Sequence, residues 1–294
     1  MVKIRVPATS ANIGPAFDCL GVALNQYNVF EFSKILKGVE FEGFKDEFCN
    51  ENNLVYKAMK KVYEKAGKNM GGIKIALLEN NIPISSGLGS SSSCIVAGLF
   101  GANSILGNRY SKDELLNMAI EIEQHPDNVA PAILGGMVLA LVEWGEVYYE
   151  KIKVSDSLKF ITVIPDFPLS TNECRNILPK KVDFRDAIYN TTRSAMTVAS
   201  FIKEDYEKLK YYCNDRLHEQ YRYVLIPKHK EILDILNGNG CVCSFLSGAG
   251  PTIIGINNCC EDNNVNAIKE KIKEIKDYKY SVKVLKTSSG VKIY

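Results

Sequence analysis

PISSGLGSSSS, residues 83–93, lies between a run of strand character at residues 73–78 and an apolar stretch of helical character that begins near residue 90. Gly87 and Gly89 let the backbone turn sharply and approach a ligand closely. The serines after Gly89 open the helix, where free amides and the helix dipole bind anions. A flexible Gly/Ser connector is the alternative, but such connectors do not normally lead straight into an apolar helix. The stretch therefore predicts a phosphate-binding loop.

Two common nucleotide-binding patterns are excluded by the same stretch. The P-loop pattern places a lysine directly after its last glycine, whereas Ser90 follows Gly89 here. The dinucleotide-binding pattern G-x-G-x-x-G is also absent. Positive charge for a phosphate must therefore come from elsewhere, and Mg²⁺ on hydroxyl and carboxylate oxygens can supply it.

Hydrophobic spacing around the loop predicts a mixed architecture. Strands are expected at residues 2–6, 27–32, 73–78, 137–142, 159–164, 241–246, 252–256 and 281–285. Helices are expected at residues 54–66, 90–106, 111–123 and 267–276, with two more within 183–212. Because the two kinds of element do not alternate regularly, the pattern favours an α+β fold. A boundary near residue 155 divides the chain into an N-terminal domain, residues 1–155, and a C-terminal domain, residues 156–294.

Local signals refine three of these helices. Asn52 or Asn53 can cap the helix that begins at residue 54. Ser111 and Glu114 form a capping-box pattern at the start of another. Glycines at positions 98 and 101 weaken the intervening helix intrinsically, so we expect them to permit close packing against a neighbour.

Composition argues against several classes of protein. The 294 residues carry a net charge of +2 without a basic block, which argues against a nucleic-acid partner. No apolar run approaches the length of a membrane span and the N-terminus lacks a signal-peptide core, so a cytoplasmic location is expected. The nine cysteines are not expected to form a disulfide framework, and Cys241, Cys243, Cys259 and Cys260 are expected to be buried thiols. A zinc site on Cys241, Cys243, Cys259 and Cys260 is the alternative, but the spacing differs from the usual C-x₂-C pairs.

A second cluster of polar residues lies in EIEQHPDNVAP, residues 121–131. Pro126 disfavours helix at His125, so these groups are expected at a helix end and on a following loop. Glu123 can supply a hard oxygen to Mg²⁺, and Asp127 can bind a substrate hydroxyl or ammonium. For His125, a structural and a functional role are about equally supported.

Two further features each allow two interpretations. SGAGPT, residues 247–252, is either a tight hairpin turn or a backbone wall of a pocket. Arg175 and Arg222 are either ordinary surface charges or a pair that clamps a substrate carboxylate.

Three motifs in order resemble one known family over essentially the whole chain. PATSANIGPAFDCLG (residues 7–21), PISSGLGSSSS and SGAGPT resemble the GHMP kinases, which phosphorylate small molecules such as galactose, homoserine and mevalonate. TSANIGPAFDCLG and HPDNVAPAILGG (residues 125–136) are similar to its homoserine kinase branch. The resemblance implies a two-domain α+β fold, with an N-terminal domain like ribosomal protein S5 domain 2 and a ferredoxin-like C-terminal domain.

The resemblance also implies a reaction and a set of site residues. ATP would phosphorylate L-homoserine to O-phospho-L-homoserine, on the route to threonine, with Mg²⁺ bound by Ser91 and Glu123. ATP would be bound by Asn53, near the adenine, and by Pro83, Ser85, Ser86, Gly87, Leu88, Gly89, Ser90, Ser91, Ser92 and Ser93. Homoserine would contact Asn12, Asp18, His125, Asp127, Thr171, Arg175, Arg222 and Gly248, with both arginines on its carboxylate. Assembly as a homodimer is left open.

One position departs from the wider family. Mevalonate-type enzymes have an aspartate base where this chain has Asn128, as homoserine kinases do, and an amide cannot abstract a proton. With Asn12, Asp127 and Asn128 as the catalytic group, we expect the hydroxyl to attack the γ-phosphoryl directly and lose its proton late. The alternatives are Asp127 as the base, a mevalonate or sugar kinase, and a non-catalytic homologue that only binds ligand.

Overall fold

Helices and strands are intermixed along the chain, as the α+β prediction requires. The computed structural model describes residues 1–258 and 262–294. Its strands are β1 Val2–Ala11, β2 Leu20–Ile35, β3 Val39–Glu42, β4 Gly72–Asn80, β5 Met137–Glu143, β6 Glu146–Ile152, β7 Lys159–Pro165, β8 Cys243–Leu246, β9 Ile253–Asn257, β10 Tyr280–Leu285 and β11 Lys292–Ile293. Its α-helices are α1 Leu54–Lys65, α2 Ser90–Ile105, α3 Lys112–Glu123, α4 Pro126–Leu134, α5 Thr171–Asn176, α6 Phe184–Ile202, α7 Leu209–Tyr212, α8 Glu219–Arg222, α9 His229–Gly238 and α10 Asp262–Glu274.

The first sheet is organised around the long strand β2. Strands β11, β1, β2, β4 and β3 lie side by side, and β5 and β6 continue from β2. The 16 residues of β2 are enough to pair with β1, with β4 and with β5 in different parts of its length. Alternate side chains of β2, among them Phe30 and Phe32, are fully buried in one core with residues of α1 and α2. The sheet therefore carries α2, and with it the loop that precedes this helix.

Helices α1 and α2 approach each other at a glycine. A Cβ on Gly98 would collide with the carbonyl oxygen of Val55, and one on Gly101 would lie 2.7 Å from the ring of Phe32. The predicted close packing at both glycines is thus confirmed. Glycine has a low helix propensity, but these tertiary contacts stabilise α2 in spite of its two glycines.

The second sheet has the connectivity expected of a ferredoxin-like domain. Its four strands lie in the order β10-β7-β9-β8, and all neighbours are antiparallel. Counted along the chain this order is 4-1-3-2, with α9 before the second strand and α10 before the fourth. Helices α5 to α8 are inserted between β7 and α9, and α5 and α8 carry Arg175 and Arg222.

The proposed boundary at residue 155 falls between β6 and β7, and its position remains a prediction. A buried cluster joins the two sheets, with Leu88 from the first part of the chain and Phe160 and Phe245 from the second. The segment after β10 returns to the first sheet, where β11 pairs with β1. The first sheet is therefore built from both ends of the sequence.

The loop predicted after His125 is wrong, since α4 occupies Pro126–Leu134. Pro126 takes the first helical position, where its missing N–H would be unpaired in any case. His125 is extended, with φ −145° and ψ 147°, as the residue before proline prefers. The expectation was therefore right about His125 and wrong about the residues after it.

Cys241 and Cys243 are buried, which supports the interpretation of free thiols. Cys259 and Cys260 lie outside the described residues. Over the described part of the chain, no helix combines the length and the apolar character that a membrane span requires.

Candidate active site

The motif residues meet in a single cleft of about 370 Å³ between the two sheets. The phosphate loop, the N-terminal motif and the SGAGPT turn all line it. Most of the predicted site residues are present, namely Asn12, Asp18, Asn53, Ser85, Ser86, Gly87, Gly89, Ser90, Ser91, Ser92, Glu123, His125, Asp127, Asn128, Thr171, Arg175, Arg222 and Gly248. The cleft therefore joins residues from nearly the whole length of the chain.

Three predicted phosphate-site residues do not line the cleft. Leu88 is fully buried in the cluster between the sheets. The Ser93 hydroxyl donates to the Ser90 carbonyl at 2.8 Å within α2, so it is used inside the helix. Pro83 accepts a hydrogen bond from the Ser86 hydroxyl through its carbonyl at 2.8 Å. These three residues shape the loop, and their predicted contact with ATP has no support in the geometry.

Tight backbone contacts hold the loop in front of α2. Gly89 caps the helix with φ 71°, and Gly87 has φ 82°. A Cβ on Gly89 would collide with the Thr9 hydroxyl, and one on Gly87 with the carbonyl oxygen of Ser247. Both glycines are therefore required by conformation and by space. The N-terminal amides of a 16-residue helix are left at the cleft, which suits an anion such as a phosphate.

Glu123, at the end of α3, lies against the first turn of α2. Its carboxylate accepts hydrogen bonds from the Ser91 hydroxyl at 3.1 Å and the Ser92 hydroxyl at 2.9 Å. The predicted Mg²⁺ ligands Ser91 and Glu123 are thus adjacent, and they offer the hard oxygen donors that Mg²⁺ prefers. This donor set fits the ion.

Asn28 is a cleft residue that the sequence reasoning missed. Its side-chain oxygen accepts from the amides of Asn81 and Ile82, at 2.9 and 3.0 Å, and its nitrogen donates to the Ser93 hydroxyl at 3.1 Å. It therefore ties the start of the loop to the helix after it. The signal was an asparagine in QYNVFEF at the alternate position before Phe30 and Phe32, on the apolar face of the strand, where it is unfavourable unless the side chain has partners.

The far end of the cleft has an apolar wall. Phe44, Phe48, Leu54 and Leu77 contribute to it, and no motif marked these residues in the sequence. Asn53 lines this end, but its side-chain oxygen caps α1 by accepting from the amide of Val55 at 2.9 Å. Its predicted contact with adenine stays a prediction, and its capping role is confirmed.

Asn12 links the N-terminal motif to the SGAGPT turn. Its side-chain nitrogen donates to the Gly248 carbonyl at 2.9 Å, and its oxygen accepts from the Asp18 amide at 2.9 Å. The side chain is 3% exposed. Asn12 is therefore engaged in positioning Asp18 and Gly248, and nothing in this geometry supports the chemical role assigned to it.

SGAGPT serves both of the purposes considered for it. It is the turn between the antiparallel strands β8 and β9. It also walls the cleft through Gly248, and the Ser247 hydroxyl donates to the Gly87 carbonyl at 2.7 Å. The turn thereby connects the C-terminal domain to the phosphate loop.

Asp18 and Arg175 form a two-pronged ion pair across the cleft. The distances are 2.9 and 3.3 Å, and both side chains are about one-third exposed. Arg175 was predicted to bind a ligand carboxylate, yet in this structure it binds the carboxylate of Asp18. Thr171 begins the same short helix as Arg175 and is exposed.

His125 and Asp127 form a second pair, with Nδ1 and Oδ1 2.6 Å apart. Burial by itself would lower the pKa of His125, but the hydrogen bond to Asp127 and the charges of Asp127 and Glu123 outweigh it and raise the pKa. The next residue, Asn128, accepts a hydrogen bond from the Thr9 hydroxyl at 2.8 Å. Polar atoms of Asp18, His125 and Asp127 lie within 4.8 Å of one another, so this group also has the arrangement of a cation site.

Arg222 is not a surface charge, since it is only 2% exposed. Its Nε donates to the Cys174 carbonyl at 3.2 Å, and its Nη1 donates to the Gly248 carbonyl at 3.0 Å. Burial lowers the pKa of Arg222. A buried guanidinium at a cleft is a strong candidate to bind an anionic group of a ligand.

The chain belongs to the GHMP kinase family. The model for the GHMP kinases N terminal domain matches residues 53–136, and the model for the GHMP kinases C terminal region matches residues 197–277. Among its relatives, the homoserine kinase of Clostridium beijerinckii is 49% identical over 282 residues, which are 96% of this chain and 94% of that protein.

Solved structures agree with this assignment. The homoserine kinase of Cytophaga hutchinsonii superposes with a TM-score of 0.87 at 29% identity, covering 100% of this chain and 97% of that one. The mevalonate kinase of Methanococcus jannaschii gives a TM-score of 0.72 at 15% identity, covering 98% of each chain, and shows the shared fold alone.

Proposed function

We propose that this protein transfers the γ-phosphoryl group of ATP to the side-chain hydroxyl of L-homoserine, giving ADP and O-phospho-L-homoserine on the route to threonine. This reaction is supported by relatives named homoserine kinase, which match nearly the whole chain. The observation that carries the proposal is one cleft that contains two unlike groups of residues. One group is a helix N-terminus with the candidate metal-ligand pair, and the other is two aspartates and two arginines.

The mixed charges suit a zwitterionic amino acid. The carboxylate of homoserine would bind Arg175 and the buried Arg222, and its ammonium would bind Asp18 and Asp127. The existing pair between Asp18 and Arg175 would then be exchanged for two pairs with the substrate. Mevalonate has a carboxylate but no ammonium, so it would leave Asp18 without a partner, which costs free energy in a partly buried site.

Ser91 and Glu123 would hold Mg²⁺, which neutralises charge on the β- and γ-phosphates when bound. The chain itself would contribute the amides of the Gly87–Ser90 turn and the positive end of α2. Positioning and charge stabilisation of this kind account for most of the catalysis of phosphoryl transfer.

The proton of the substrate hydroxyl would leave late, to an oxygen of the transferred phosphoryl group, without a dedicated base. Asn128 cannot accept it, and its side-chain oxygen already binds the Thr9 hydroxyl. Asp127 carries a strong hydrogen bond to His125, which suits a fixed binding group better than a proton acceptor. A loose transition state makes early deprotonation unnecessary.

ADP release from a substrate panel tests the proposed reaction. Purified protein with Mg²⁺–ATP would be assayed against homoserine, mevalonate, galactose and threonine, with phosphorus NMR to identify the product. We expect ADP above background and a phosphomonoester only with homoserine. Turnover of mevalonate without homoserine would overturn the substrate assignment, and homoserine binding without ADP would indicate a non-catalytic homologue.

A further inference from the structure

We propose that His218 is a positioning residue that orients Arg222 toward the substrate carboxylate, by linking it to Gly14 in the N-terminal motif. This inference rests on the proposed function, in which Arg222 binds the carboxylate of homoserine. His218 precedes α8, is 0% exposed and does not line the cleft. No motif of the sequence marked it.

The two ring nitrogens of His218 have different partners, and these partners fix its tautomer. Nδ1 lies 3.2 Å from Nη1 of Arg222, and Nε2 lies 3.1 Å from the Gly14 carbonyl oxygen. A guanidinium can only donate, so Nδ1 must accept. The proton is therefore on Nε2, which donates to Gly14, and the imidazole is neutral.

A neutral imidazole is required at this position. A proton on Nδ1 would set a second positive charge and a second donor against the guanidinium of Arg222. Burial and the charge of Arg222 lower the pKa of His218, although the nearby Asp215 acts in the opposite direction. Oδ1 of Asp215 lies 3.7 Å from Nε2 of His218, beyond hydrogen-bond distance, and accepts from the side-chain nitrogen of Asn190 at 2.7 Å. Oδ2 of Asp215 accepts from the amides of Leu217, His218 and Glu219 at 2.7–2.9 Å.

The hydrogen bonds of Arg222 leave one part of the guanidinium for a ligand. Nε donates to the Cys174 carbonyl, and Nη1 donates to the Gly248 carbonyl and to His218. All three acceptors are neutral. Among the described residues no carboxylate forms an ion pair with Arg222. The buried guanidinium is therefore available to bind an anionic group of a ligand. Removing the acceptor on His218 would leave one N–H of Nη1 without a partner, so the orientation of the guanidinium would rest on the Cys174 and Gly248 carbonyls alone.

The ring of Phe17 completes the link between Arg222 and the N-terminal motif. It stacks on His218 with ring centres 4.9 Å apart, and the guanidinium carbon of Arg222 lies 5.1 Å from its centre. Phe17 directly precedes Asp18, which would bind the ammonium of the substrate. His218 therefore holds the carboxylate-binding side and the ammonium-binding side of the pocket in register.

A matched pair of variants separates the two hydrogen bonds of His218. In His218→Asn the amide oxygen replaces Nδ1 as the acceptor for Arg222, whereas in His218→Gln the amide group reaches the position of Nε2 and the acceptor at Nδ1 is lost. We expect His218→Gln to raise KM for homoserine about tenfold, the size expected for a hydrogen bond to a charged group. His218→Asn should raise it by less, and KM for ATP should change less than twofold in both.

A substrate without the carboxylate distinguishes positioning from general damage. The kcat/KM for 3-aminopropan-1-ol should be the same in wild type and His218→Gln, since this amino alcohol has no carboxylate for Arg222. Equal losses with homoserine, the amino alcohol and ATP would overturn the proposal, as would a larger loss in His218→Asn than in His218→Gln. Failure of the wild-type protein to phosphorylate homoserine would instead refute the proposed function.

Discussion

Asp18→Asn is expected to weaken the binding of homoserine and to shift the substrate preference toward a hydroxy acid that lacks the amino group. Asn has nearly the same shape as Asp and tolerates the left-handed backbone at this position, where φ is 54°. The amide of residue 18 can still donate to Asn12, so the motif keeps its fold. The variant loses only the negative charge that Arg175 binds now and that the ammonium of homoserine would bind later.

Two opposing effects set the magnitude. Losing a charge-assisted hydrogen bond to the ammonium costs about 1.5–3 kcal/mol, which corresponds to a 10- to 150-fold lower kcat/KM for homoserine at about 1.4 kcal/mol per tenfold. Freeing Arg175 acts in the other direction for a carboxylate. The Asp18–Arg175 pair is about one-third exposed, so its loss returns at most about 1 kcal/mol, or about fivefold.

The assay compares homoserine with 4-hydroxybutyrate, which is homoserine without its amino group. We expect Asp18→Asn to turn over homoserine more slowly and 4-hydroxybutyrate up to about fivefold faster than wild type. Asp156→Asn, an exposed aspartate outside the cleft, is the matched control and should change neither rate. Equal losses for both substrates in Asp18→Asn would show that Asp18 does not bind the ammonium, and would refute the exchange of ion pairs.

Three further changes address the metal, the proton and the stability of the fold. Glu123→Gln should raise the Mg²⁺ concentration for half-maximal activity at least tenfold, because a neutral amide is a poorer ligand for Mg²⁺. The KM for homoserine should not change. An unchanged Mg²⁺ dependence would exclude Glu123 as a ligand. Asp127→Asn should weaken homoserine binding and leave the shape of the pH–rate profile unchanged, whereas a loss of kcat by about 10³-fold or more with unchanged binding would identify Asp127 as a base. Burial, together with the charge of Asp215, raises the pKa of Glu219 from 4.5 to about 8. The folded state therefore retains a proton that the unfolded state loses, and stability falls as pH rises from 4.5 to about 8. Glu219→Gln should remove that part of the pH dependence in urea unfolding at pH 5 and pH 8, and equal slopes for the two proteins would contradict the shift.

The sharp turn at residues 87–89 and the helix after it could be predicted from the sequence because their determinants are local. Gly87, Gly89 and the following serines act within a few residues of one another, and the strand before and the helix after them carry their own periodicity. The capping box at Ser111 was recognisable for the same reason and is present in the structure. Features of this kind depend on backbone conformation, which short sequences encode directly.

The arrangement of charges could be proposed from the sequence only as a list of residues. Asp18 and Arg175 are 157 positions apart, and nothing local indicates that they bind each other. The burial of Arg222 depends on helices inserted after β7, whose packing no periodicity reveals. The apolar wall with Phe44 and Phe48 belongs to a connecting segment without a motif, so its residues were missed altogether.

The return of the chain to the first sheet has a consequence for the solubility of fragments. Strand β11 covers the outer edge of β1 at Ile4 and Arg5, and Tyr294 exchanges backbone hydrogen bonds with Lys3. A fragment of residues 1–155 would leave that edge open, with unpaired amides and carbonyls beside apolar side chains. Open edges of this kind recruit strands from other molecules and lead to aggregation. The segment after β10 thus protects an edge of the first sheet, and together with the buried cluster shared by the two sheets it couples the two parts of the chain.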